Sequence, residues 1–73
     1  MRVTQQHGAW RLDIETVPVE GMFTAKATIS RKRTDGQPGM LGYTFKDVGV
    51  MGSPQEAADW AADWLRGWLD DNA

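Results

Sequence analysis

Ser53-Pro54-Gln55-Glu56-Ala57-Ala58-Asp59-Trp60-Ala61-Ala62-Asp63-Trp64-Leu65-Arg66-Gly67-Trp68-Leu69-Asp70 is the stretch on which the fold turns. It opens with a capping serine, a proline at the first helical position and a glutamate three residues after the cap. This arrangement satisfies free backbone N–H groups and presets the backbone for a helix. At about 100° per residue, Ala57, Ala58, Trp60, Ala61, Ala62, Trp64, Leu65, Trp68 and Leu69 fill one arc of roughly 200°, and Glu56, Asp59, Asp63, Arg66 and Asp70 fill the rest. The spacing predicts an amphipathic helix from about 54 to 70, fraying over Asp71-Asn72-Ala73.

Upstream, the period changes from 3.6 to 2. Trp10-Arg11-Leu12-Asp13-Ile14-Glu15-Thr16 alternates apolar with polar residues, so a strand over about 9–18 presents Trp10, Leu12 and Ile14 to the core. Pro18 suits a strand end or an edge, and Glu20-Gly21 supplies a turn. A second strand over about 22–31 turns Phe23, Ala25, Ala27 and Ile29 inward. Arg31 to Gly39 then strings charges and breakers into an exposed loop. Leu41, Tyr43 and Phe45 form the inward side of a third strand over about 40–48. Val48 and Val50 fall on the opposite parity, which predicts a bulge or strand end near Asp47-Val48. The chain therefore reads as a single α+β domain over 1–73, a three-stranded antiparallel meander with one C-terminal amphipathic helix on one face.

Two packing expectations follow from that layout. Trp60, Trp64 and Trp68, spaced by four, are expected to bury their indoles against the small Ala25 and Ala27, at up to about 4–6 kcal/mol each. Gly67 is expected to mark a close approach by another backbone. The apolar arc is also wider than one sheet face needs, a little over about 100°. Ala58 and Ala62 on its far margin, with the three tryptophans, are accordingly candidate interface residues for a protein partner or a homodimer, beside an exposed sheet edge.

Seventy-three residues leave room for one small core, which buries only about 60% of the unfolded chain's surface. With no cysteine, disulfides and thiolate zinc sites are excluded and a reducing compartment is compatible. Met1 to Gln6 carries a charge but no apolar run, so neither a signal peptide nor a membrane span is expected, and the cytoplasm is the default location. Up to Gly52 there are seven Lys/Arg against five Asp/Glu, and from Ser53 one Arg against five acids. The sheet half is mildly basic and the helix half acidic.

The residues that chemistry would need are missing. His7 stands alone in a polar segment, so no transition-metal site is expected. Ser30 reads as an outward strand residue and Ser53 as a cap, neither beside a base. Asp59 and Asp63 share a solvated helix face, with nothing to separate their titration. Gly36, Gly39 and Gly42 match no phosphate cradle. No enzyme, cofactor or metal is expected. The one basic feature, Arg31-Lys32-Arg33, extended by Lys26, Lys46 and Arg11, could contact phosphate, which makes nucleic-acid binding the second functional expectation. That face offers no aromatic residue for base stacking.

With Tyr43-Thr44-Phe45 in the third strand and Ser53-Pro54-Gln55-Glu56-Ala57 opening a helix that continues through Ala61, Leu65 and Trp68, the chain resembles the small partial RNase H-like domain of HicB-type antitoxins and related bacterial proteins. The resemblance implies an oligomeric protein-binding module, in that family one that masks a toxin. Asp47-Val48-Gly49-Val50-Met51-Gly52 stands where the family carries a proline-rich segment, and no DNA-binding region is expected after the helix.

Overall fold

The computed structural model describes residues 1–33, 36 and 38–72, so positions 34, 35 and 37 of the expected loop and position 73 lie outside the described residues. Five strands, β1 (Arg2–His7), β2 (Trp10–Val19), β3 (Met22–Lys32), β4 (Met40–Phe45) and β5 (Val50–Met51), precede one helix, α1 (Pro54–Asn72). All pairings are antiparallel and the sheet order is β1-β2-β3-β4, with β5 joining β3 on the same side as β4. The α+β meander with a C-terminal helix is as expected; the sheet has four strands and a short fifth in place of three.

Two tight turns build the meander. His7 pairs with Trp10 across Gly8-Ala9, and Gly8 takes a left-handed φ of 61°. Val19 pairs with Met22 across Glu20-Gly21, both at positive φ (47° and 80°), the combination that matches a type I′ turn and the right-handed strand twist. The long β2–β3 hairpin stretches the molecule to 46 × 21 × 15 Å, with a radius of gyration of 13.0 Å against about 11 Å for a compact chain of this length.

The third predicted strand breaks where its parity changes. Phe45 pairs with Ala27 and Met51 with Phe23, so the edge strand carries two residues more than β3 between those pairs. Asp47 (φ 56°) and Gly49 (φ 74°) absorb them in left-handed conformations. Val48 turns inward and is buried, its amide donating to the Ala25 carbonyl at 2.9 Å, while Val50 stays on the far face. Thr24 Oγ1 donates to the Gly49 carbonyl at 2.6 Å and closes the break.

The helix starts as its sequence dictates. Glu56 N donates to Ser53 Oγ at 3.2 Å, and Ala57 N to the Ser53 carbonyl at 3.1 Å. Leu12, Ile14, Ala25, Ala27 and Ile29 of the sheet meet Ala58, Ala61, Ala62, Leu65 and Leu69 of α1 in one cluster. Small residues thus face small residues, which corrects the expected packing of indoles on alanines. Ala58 and Ala62, each 2% exposed, lie in this core and are no part of a surface seam. Gly67 is equally unlike its expectation, since a Cβ there would meet nothing within 4 Å. Gly67→Ala should therefore stabilise the domain by about 0.5–1 kcal/mol and raise the melting temperature by several degrees. A lower melting temperature would mean that something packs on this position.

Candidate docking surface

The indoles sit to one side of the alanine-leucine seam, over the β4 edge. In the register of β3 and β4, Ala27, Ile29 and Arg31 oppose Phe45, Tyr43 and Leu41, so these three β4 side chains lie on the helix face. The Phe45 ring meets Trp64 at 5.3 Å and 78°, and Trp68 at 5.2 Å and 68°, both edge-on. Tyr43 lies 5.8 Å from Trp68 and 6.3 Å from Trp10. One aromatic row therefore runs from Trp10 through Tyr43, Trp68 and Phe45 to Trp64. Trp60 extends it onto Gly49, where its ring lies so near the backbone that a Cβ would fall 2.8 Å from Cε3.

The row is only half covered. Trp60 is 40% exposed, Trp64 38% and Tyr43 53%, and an open groove between Phe45, Val48, Gly49 and the two indoles leads to the strand edge. Trp68 is partly buried. The opposite flank of the helix is closed by polar contacts. Arg66 Nη1 donates to Gln5 Oε1 at 2.6 Å and is also paired with Asp63, while His7 Nε2 lies 2.8 Å from Asp70 Oδ1. The two edges of the sheet thus differ in kind, polar under β1 and aromatic under β4.

Among the described residues, no strand pairs with the outer side of β4. Arg33 N donates to the Gly39 carbonyl at 3.4 Å, in the same register that pairs Lys32 with Met40. By the alternation of an antiparallel ladder, odd-numbered β4 residues direct N–H and C=O to β3, and Met40, Gly42 and Thr44 direct theirs outward. Met40-Leu41-Gly42-Tyr43-Thr44-Phe45 has neither charge nor proline, the devices that usually blunt an exposed edge.

The basic candidates do not come together. Strand alternation sends Arg31 to the helix side and Lys32 to the open face. The Arg31 guanidinium lies 5.0 Å from the Trp10 ring centroid, a cation–π contact, with its Nε buried and without a hydrogen-bond partner. Arg33, beyond the strand, is exposed. On the open face, Arg11 pairs with Asp13 at 3.2 Å and Arg2 with Glu15 at 3.3 Å, so Lys26 and Lys32 belong to a surface of mixed sign. Lys46 sits past the end of β4, beside the aromatic groove.

Tyr43 and Phe45 are the candidate docking residues that sequence reading assigned to the core. Their signal lies in topology, because the last strand of a meander has a neighbour on one side only. A second exposed apolar cluster, Val17, Val19, Met22 and Val50, lies on the open face at the hairpin tip, where β2 reverses its polarity after Thr16 without a bulge. Among the described residues, no group of three His, Asp or Glu side chains could hold a metal ion, and no helix is long and apolar enough to cross a membrane. No protein-family model, curated protein or solved structure matches the chain.

Proposed function

We propose that this chain is a protein-interaction module that takes up an extended segment of a partner on the β4 edge. The observation that carries this reading is the coincidence of an uncharged strand edge, unpaired among the described residues, with a half-exposed aromatic row along its helix side. Strand addition needs both parts. Main-chain bonds from Met40, Gly42 and Thr44 supply affinity, and the groove between Phe45, Trp60 and Trp64 supplies side-chain discrimination. Aromatic side chains in such a position bind through large, rigid contact area, which is why they dominate interface energetics. The resemblance to HicB-type antitoxin domains points to the same class of function. A nucleic-acid partner has less support, since Arg31 is engaged with Trp10 and the remaining cations share their face with acids.

The test is selection of binders from a random peptide library displayed on phage, with the intact chain as bait. Selected peptides should alternate apolar and polar residues, shift the tryptophan emission to the blue, and lose about tenfold or more in affinity on Trp64→Ala. They should also fail on Thr44→Pro, which removes an outward N–H while leaving the β3 ladder intact. Peptides that bind both variants as tightly as the parent would rule out this surface.

A further inference from the structure

The β4 edge is self-complementary, and we infer that its partner is a second copy of this chain, joined by antiparallel pairing of the two β4 strands with Tyr43 facing Tyr43 across a twofold axis. The inference rests on the docking reading above and names the occupant.

Symmetry and parity leave few registers. A twofold axis perpendicular to the sheet reverses the strand direction and keeps both helices on one face, so opposed residues must share a face and their numbers must sum to an even value. Centring on Gly42 would set Phe45 opposite the partner's Gly39, whose φ of 106° takes it out of the ladder, and would leave Phe45 and Trp64 uncovered. Centring on Tyr43 sets Leu41 opposite Phe45, beneath Trp64, and lets the outward amides of Gly42 and Thr44 exchange bonds twice over. Tyr43 then forms a close, non-hydrogen-bonded aromatic pair on the axis, a favourable cross-strand arrangement.

The spaces above the sheet also match. In the resulting eight-stranded sheet, helices centred over β2 and β3 lie about four strand spacings apart, roughly 19 Å. Direct helix packing takes about 8–10 Å. The gap lies over the two β4 strands and their aromatic rows, with Trp68 standing over Tyr43 next to the axis. At about 200 Å² per large side chain, the exposed parts of Tyr43, Trp60 and Trp64 offer about 260 Å² per copy. That is about a third of the roughly 800 Å² per partner in a standard interface; the strand backbones, Leu41 and Phe45 are available for the rest. The other edge, β1, presents Arg2, Thr4 and Gln6 on one side and Gln5 and His7 on the other, a polar border that favours a closed dimer over a filament.

The chain has no cysteine, so one introduced thiol reports a single geometry. Wild type should sediment at twice the 8.1 kDa chain mass. Tyr43→Cys should form an intermolecular disulfide within the dimer, because paired Cα atoms in a non-hydrogen-bonded site lie about 4.5 Å apart, inside the disulfide range. Gln6→Cys on the β1 edge should not. Thr44→Pro should keep the circular dichroism of the parent and weaken dimerisation by about 100-fold. A wild-type monomer at concentrations up to about 1 mM, or equal cross-linking of the two cysteine variants, would overturn the dimer. In either case, peptides whose binding is lost on Thr44→Pro would leave the docking reading standing.

Discussion

Leu65→Ala is expected to remove about half of the domain's stability, whereas Trp64→Ala should leave most of it in place. Leu65 is fully buried among Leu12, Ile14 and Ile29, the other large side chains with no exposed surface. Truncating a leucine in such a site costs about 2–5 kcal/mol, the transfer term plus the cavity left behind. The whole stability of a 73-residue domain is about 4–11 kcal/mol. The alanine seam limits relaxation. Ala57, Ala58, Ala61 and Ala62 on α1 and Ala25 and Ala27 on β3 have no longer side chains to move into the void. Trp64, by contrast, is 38% exposed and meets Phe45 edge-on, so its loss should cost about 1–2 kcal/mol. Urea unfolding followed by circular dichroism separates the two. Equal costs for Leu65→Ala and Trp64→Ala would return the indoles to the core and remove the docking surface with them.

This contrast also marks how far the linear pattern could be read. Which residues of α1 are apolar follows from the helical period, and the start of the helix follows from Ser53, Pro54 and Glu56. Which half of a 200° arc meets the sheet does not follow from either. Tryptophans on one flank and alanines on the other are both apolar, and the choice is made by the sheet. Ala25 and Ala27 admit the alanine half at close range, while Tyr43 and Phe45 take the indoles at the edge. The strand β1 was missed for a related reason. Of its helix-facing residues only Val3 is apolar; Gln5 and His7 are satisfied by Arg66 and Asp70, 61 and 63 residues away. Polar partners so distant in sequence leave no periodic trace, and only the Gly8-Ala9 turn between two extended runs hinted at a hairpin. Arg31, Lys32 and Arg33 illustrate the converse. Neighbours in sequence, the first two are sent to opposite faces because β3 continues to Lys32. The open face itself was legible in its alternation of charge, and the edge break at Asp47-Val48 in its change of parity.

Gly49→Ala should be the most damaging single change outside the core, and its effect should be coupled to Trp60. Two separate penalties meet at this position. A φ of 74° is left-handed, which an L-residue with a Cβ adopts at a cost of about 1 kcal/mol or more. The new Cβ would also lie 2.8 Å from Cε3, 3.1 Å from Cζ3 and 3.2 Å from Cδ2 of Trp60, against the face of the ring, so the indole or the edge break must move. The backbone there is held by the bond from Thr24 Oγ1 to the Gly49 carbonyl and, next to it, by Val48 N on the Ala25 carbonyl. Together the penalties amount to about 2–4 kcal/mol. Trp60→Ala removes the obstacle but not the dihedral strain. Gly49→Ala should accordingly cost only about 1 kcal/mol in a Trp60→Ala background, a coupling of about 1–3 kcal/mol in the double-mutant cycle. Gly52→Ala, where a Cβ meets nothing within 4 Å and φ is not positive, serves as the neutral control. If Gly49→Ala and Trp60→Ala proved additive, the indole would not rest on the edge break at all. The aromatic row would then end at Trp64, and the groove that gives the β4 edge its side-chain discrimination would lose one wall.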